Sequence, residues 1–148
     1  MRIAIACDHA ALAHKRAVIA HLTALGHTVQ DFGTDSEASC DYPDYGLPAT
    51  RSVASGANDR GILICGTGIG MSIAANKVPG IRCALIHDLF TAGVTAAHNN
   101  PQVIAFGARI VDIPTGIAMV DAWLTTTFET RHQRRLDKIA AAEGGASC

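Results

Sequence analysis

At 148 residues, 49% of them hydrophobic, the chain is long enough to bury one core and too short for a comfortable second domain. A formal net charge of -1 supplies neither the basic field that nucleic acid requires nor an acidic tail. The opening MRIAIACDHAA has an apolar run too short for a secretory signal, and no later stretch has the apolar length to span a bilayer, so the expectation is a cytoplasmic protein with no membrane partner.

In chain order, Arg2 to Cys7 reads as a strand and Leu12 to Leu25 as the helix behind it. Thr28 to Phe32 is a second strand. The polar segment Gly33 to Pro43 is a surface loop over one end of the sheet, and Tyr45 to Ala54 is helical. The pattern then repeats as strand Gly61 to Ile64 with helix Ile69 to Asn76, strand Arg82 to Ile86 with helix Thr91 to His98, and strand Val103 to Phe106 with helix Gly116 to Phe128. Regular alternation of this kind predicts an α/β fold: five parallel strands joined by right-handed crossovers, in an αβα three-layer sandwich with expected strand order 2-1-3-4-5. No internal repeat or linker interrupts it, so residues 1–148 read as one domain. After Phe128, ETRHQRRLDKIAAAE places Leu136 and Ile139 at helical spacing, and 129–148 reads as an added terminal helix. Its apolar stripe is thin, which predicts a homodimer in which this extension packs on the partner.

The most informative stretch is Ile62 to Ser72, ILICGTGIGMS, where an apolar strand ends at Cys65 and passes into Gly66, Gly68 and Gly70. Glycines let the backbone approach a ligand closely, and the helix opening behind them offers unpaired N–H groups and a positive dipole end. That field favours thiolate at Cys65, suiting it to act as base or nucleophile; a small buried hydrophobe before a tight turn is the plainer reading. Cys7, Cys40, Cys65, Cys83 and Cys148 are odd in number, scattered and without C-x-x-C spacing, which suggests reduced thiols and neither a disulfide framework nor a zinc site. In open α/β sheets ligands bind beyond the carboxyl ends of strands where the strand order reverses, here between Cys7-Asp8-His9 and Cys65-Gly66-Thr67. The plainer reading of Asp8 is a cap on the following helix, and His9 could be a surface residue of its first turn.

Several other chemistries fail. The glycines run G-x-G-x-G, and the first strand–helix turn, where a dinucleotide fold carries its fingerprint, has no glycine. There is no G-K-[ST], and no arginine follows Cys7 or Cys65 at the spacing of a cysteine phosphatase. One Trp, two Tyr and four Phe are few for sandwiching a flavin. The remaining basic groups lie at His98-Asn99, closing the fourth helix, at Arg109, just past the fifth strand, and at Arg131 and Arg135, one helical turn apart. Two guanidinium groups so spaced match a phosphate ester, with a solvated basic face as the plainer reading.

Taken together, CDHAA (Cys7 to Ala11), DFGT (Asp31 to Thr34), DYPDY (Asp41 to Tyr45), ICGTGIGMSIAANK (Ile64 to Lys77), GIR (Gly80 to Arg82), HNN (His98 to Asn100), FGAR (Phe106 to Arg109) and RHQRR (Arg131 to Arg135) resemble type B ribose-5-phosphate isomerases. The match runs in order over nearly the whole chain. The resemblance implies a Rossmann-like sandwich, a homodimer or dimer of dimers with shared sites, no metal or organic cofactor, and interconversion of ribose 5-phosphate and ribulose 5-phosphate. It also implies roles. Cys65 would be the base at C2; Thr67 with the N–H groups of Gly66, Gly68 and Gly70 would hold the enediolate. His98 would open the furanose ring with Asp8 on the ring oxygen or hydroxyls, and Tyr42 and Asn99 would position the sugar. His9, Arg109, Arg131 and Arg135 would hold the phosphate. Met71 stands where one branch of the family carries a glutamate base, so this chain resembles the cysteine branch. Related galactose-6-phosphate isomerase subunits resemble the front half but usually lack the RHQ-x-R ending. An allose 6-phosphate or free-aldose isomerase, and a non-catalytic sugar-phosphate-binding module, are the alternatives; the second would need the arginines and glycines but not Cys65 together with His98.

Overall fold

Five segments pair side by side into one parallel sheet: β1 (Arg2–Cys7), β2 (Thr28–Asp31), β3 (Arg60–Cys65), β4 (Cys83–Leu85) and β5 (Val103–Gly107). This computed structural model describes residues 1–144; residues 145–148, which include Cys148 and the end of the expected 129–148 extension, lie outside the described residues. The crossover helices are α1 (Leu12–Ala24), α2 (Pro43–Ala54), α3 (Ile69–Ala75), α4 (Leu89–Asn99) and α5 (Ile113–Thr125), and a 3-10 turn at Thr130–His132 leads into α6 (Gln133–Gly144). No helix among the described residues is long and apolar enough to cross a membrane.

β1, β3 and β5 read as apolar runs because the interior of a parallel sheet is covered on both faces, whereas the edge strand β2, TVQD, is largely exposed. Alternate residues go to opposite sides. Ile3, Ile5, Ile62, Ile64, Ile104 and Phe106 pack with Leu22 of α1, Ala96 of α4 and Met119 and Trp123 of α5. The other face is smaller, with Ala4, Ala6, Leu63 and Ala105 against Ala49 and Val53 of α2 and Met71 of α3. Three layers result, as the alternation predicts.

The strand order is β2-β1-β3-β5-β4, so the last two strands exchange places relative to the expected 2-1-3-4-5. All five residues of β5 are buried, whereas β4 is three residues long and buries only Cys83. The strand that is apolar on both faces takes the interior position, and the short one takes the edge. Consequently Cys65 pairs with Gly107, and the residues that follow β5 lie beside those that follow β3. Helix starts also move. Asp88 caps α4 by accepting from Thr91 N–H at 2.7 Å, and Asp112 caps α5 by accepting from Thr115 N–H at 2.9 Å, so both helices begin before Thr91 and Gly116.

The loop after β2 is held by a buried cation. Lys15 is 1% exposed; its Nζ lies 2.7 Å from Asp31 Oδ2 and 3.0 Å from Asp35 Oδ1, and donates to Thr34 O at 2.8 Å. Burial works against the ammonium charge, but the Asp31 and Asp35 carboxylates outweigh it and hold Lys15 above its usual range. Gly33 is pressed onto this clamp, since a Cβ there would lie 2.6 Å from Cys7 N and 2.9 Å from Lys15 Cδ. Lys15→Met keeps the apolar stem and loses the ammonium, and should destabilise the fold by about 1–2 kcal/mol in urea unfolding; an unchanged midpoint would show that the clamp contributes nothing.

Candidate active site

Cys65 is the last residue of β3, and the chain turns immediately behind it. Gly68 has φ +79°, a left-handed conformation that disfavours any side chain, and a Cβ there would lie 2.7 Å from the Phe106 backbone. The tight turn brings Gly68 N–H to 3.1 Å from Cys65 Sγ, which accepts its hydrogen bond. Burial pushes the thiols of Cys7 and Cys83 up to about 12, as expected of core cysteines.

The exchange of β4 and β5 is what brings Arg109 to this turn. Ala108 N–H donates to Cys65 O at 2.8 Å and Arg109 N–H to Gly66 O at 3.0 Å, so the backbone after β5 is stitched to the glycine loop. Gly107 permits the crossing: a Cβ there would sit 2.5 Å from Thr67 Cα. The role of Gly107 goes unread in the sequence, because its crowding comes from the Gly66–Thr67 turn, far away along the chain. The Arg109 guanidinium lies over Gly66, whose added Cβ would be 3.4 Å from Nη1. Thr67 is exposed at the tip, with its hydroxyl accepting from Ile69 N–H at 3.4 Å.

The end of β1 closes the other side of the crevice. Asp8 N–H donates to Ile64 O at 3.3 Å, and Asp8 Oδ1 accepts from Ala10 N–H at 3.0 Å. Asp8 does not cap α1, whose N-cap is Ala11 with no side-chain bond. His9 Nδ1 accepts from Cys40 N–H at 3.2 Å, which leaves Nε2 as the donor of the neutral ring. Tyr42 covers the glycine loop from above: a Cβ on Gly70 would lie 2.5 Å from the Tyr42 ring.

A second cluster forms at the other end of the sheet. α4 starts beyond the carboxyl end of β4 and runs back about 16 Å, so His98 and Asn99 lie at the amino edge, away from Cys65. Glu129 N–H donates to Ala97 O at 2.8 Å and ties the segment after α5 to this helix end. The His98 and His132 rings are 4.2 Å apart between centroids, and Arg131 Nε donates to Glu129 Oε2 at 2.6 Å. His132 is buried; burial first, then His98, Arg131 and Arg135, lower its pKa from the ordinary value, with Glu129 opposing. Arg135 is exposed and has no carboxylate partner among the described residues.

Thus Asp8, His9, Tyr42, Cys65, Gly66, Thr67, Gly68, Gly70 and Arg109 converge, whereas His98, Asn99, Arg131 and Arg135 gather at the opposite edge. Ile69, Leu89, Phe90 and Ile110, all beside the Cys65 edge, are exposed, Phe90 by 76%. An apolar rim of this kind marks a contact surface.

The sequence model of the Ribose/Galactose Isomerase family matches residues 3–139. The chain is 44% identical over 143 residues to ribose-5-phosphate isomerase B of Escherichia coli (strain K12), with 96% of each chain covered. The solved structure of Clostridium thermocellum ribose-5-phosphate isomerase B is similar at a TM-score of 0.96 and 44% identity, covering 99% of this chain and 100% of that one. The structure of ribose-5-phosphate isomerase B from Mycoplasma genitalium with bound ribulose-5-phosphate is similar at a TM-score of 0.94 and 38% identity, covering 98% and 97%.

The contact between Tyr42 and Gly70 is open to direct measurement. Gly70→Ala should cost about 1–3 kcal/mol in the native chain and clearly less in a Tyr42→Ala background, because the smaller residue leaves room for the methyl. Additive costs in urea unfolding would mean that ring and glycine do not meet.

Proposed function

Because this chain belongs to the ribose/galactose isomerase family, we propose that it interconverts D-ribose 5-phosphate and D-ribulose 5-phosphate at a site built by two copies of the chain. The observation that carries this reading is the junction of β3 with its glycine loop, where the Cys65 sulfur accepts from Gly68 N–H beside Asp8, His9 and Arg109.

The chemistry needs a base at C2 and donors for the oxyanion. Cys65 takes the C2 proton of the open aldose, and the electron pair moves into the C1–C2 bond while the C1 oxygen gains the charge. N–H groups of the Gly66–Gly70 loop and the Thr67 hydroxyl hold that enediolate. Transfer of the O2 proton to O1 and return of the sulfur's proton to C1 complete the ketose, so no redox partner is required. Asp8 binds the ring oxygen or hydroxyls, Tyr42 positions the sugar, and His9 and Arg109 hold phosphate.

His98, Asn99, Arg131 and Arg135 come from the second copy, with His98 opening the furanose ring, Asn99 positioning the sugar and the arginines completing the phosphate clamp. Two features support a homodimer: α4 separates His98 from Cys65 within one chain, and an apolar rim flanks the Cys65 edge. The extension from residue 129 belongs to this interface. α6 buries Leu136 in its own chain and leaves Ile139 exposed for the partner. Four free thiols among the described residues fit a cytoplasmic setting.

Cys65→Ala should lower ketose formation from ribose 5-phosphate by at least about a thousandfold, while calorimetry still detects sugar-phosphate binding. Retained turnover would remove Cys65 from the role of base. Allose 6-phosphate and free ribose, assayed beside ribose 5-phosphate, should be poorer substrates; faster turnover of either would reassign the substrate.

A further inference from the structure

We propose that His98, Glu129 and His132 form a binding site for one divalent transition-metal ion of the zinc class, and that an ion bound there inhibits the isomerase by occupying the His98 imidazole. The inhibitory half rests on the role given to His98 above; the binding half does not.

One ligand atom from each of the three residues lies within 4.8 Å of the others. His132 is 4% exposed, and its Nε2 has no hydrogen-bond partner among the described residues. That orphaned nitrogen points into the cluster, 3.6 Å from Glu129 Oε2. A buried polar atom left unpaired calls for a ligand, and a lone pair on a neutral imidazole is what a metal takes.

Two imidazoles and one carboxylate match the donor set of an open zinc site, with the fourth position left to water. Bond lengths of about 2.0–2.1 Å require the three atoms to draw closer than they lie here. The side chains can make that change, because Glu129 is exposed and His98 half-buried, while Glu129 N–H on Ala97 O keeps their backbones in register. Arg131 opposes a cation, and its pairing with Glu129 Oε2 offsets that charge only in part; Oε1 accepts no hydrogen bond among the described residues and is the oxygen left for an ion.

Cobalt(II), a zinc stand-in with visible d–d absorption, tests the site directly. The full chain and its Cys65→Ser variant should each bind one cobalt per chain with the spectrum of nitrogen and oxygen ligation. His132→Gln and, in case that core substitution fails to fold, Glu129→Gln should lose the signal. Zinc should then suppress turnover of the native enzyme, reversibly with a chelator, and leave the residual turnover of Glu129→Gln unaffected. No cobalt binding would overturn the proposal. So would binding that survives His132→Gln and disappears in Cys65→Ser, which would place the metal on the thiol. Binding with the expected variant pattern but no inhibition by zinc would uphold the site and overturn both the inhibition and the catalytic use of His98.

Discussion

A parallel sheet sorts its residues between two ends: whatever follows a strand lies at the carboxyl edge, and whatever ends a crossover helix lies at the amino edge. That constraint governs the functional reading of this chain. Cys65 ends a strand and Asp8 and Arg109 follow one, so the three meet, although they come from widely separated segments. His98 ends a helix and therefore cannot join them. No side-chain rotation spans a helix of eleven residues, so chemistry that needs both cysteine and histidine needs two copies of the chain.

Within the carboxyl edge, steric economy does the positioning. Gly68, Gly70 and Gly107 are the places where the Phe106 backbone, the Tyr42 ring and Thr67 respectively come too near for a larger residue to fit unchanged, while a Cβ at Gly66 would make ordinary contact with Arg109. The Cys65 sulfur is held in a narrow turn with a backbone donor aimed at it, the kind of preorganisation on which charge stabilisation in a transition state depends. Lys15 extends the same principle outward. Its buried ammonium gathers Asp31, Thr34 and Asp35, and so fixes the loop whose later residues, Cys40 and Tyr42, cover His9 and Gly70.

Much of this was legible in the sequence for identifiable reasons. Strand and helix alternation is a local pattern, and so is the passage from ILIC to alternating glycines, so the fold class and the Cys65 turn follow from neighbouring residues alone. The order of β4 and β5 does not. Both segments are apolar and short, and which one lies inside depends on how many of its residues the helices cover, a property of the assembled sheet. Gly107 escapes for the same reason. Asp88 and Asp112 carry readable capping signals that extend α4 and α5 toward the N-terminus. Glu129 and His132 share one turn, but their approach to His98 comes with a backbone hydrogen bond from Glu129 to Ala97, which no spacing rule supplies.

The proposed division of the site between two chains is tested most directly by subunit complementation. Cys65→Ser and His98→Gln chains, each inactive alone, are mixed, dissociated and allowed to re-associate. Each mixed dimer then pairs one intact Cys65 with one intact His98 across the interface, and random re-association should restore roughly a quarter of native activity. A mixture no more active than its two parents would contradict a site shared between the carboxyl edge of one copy and the histidine cluster of the other.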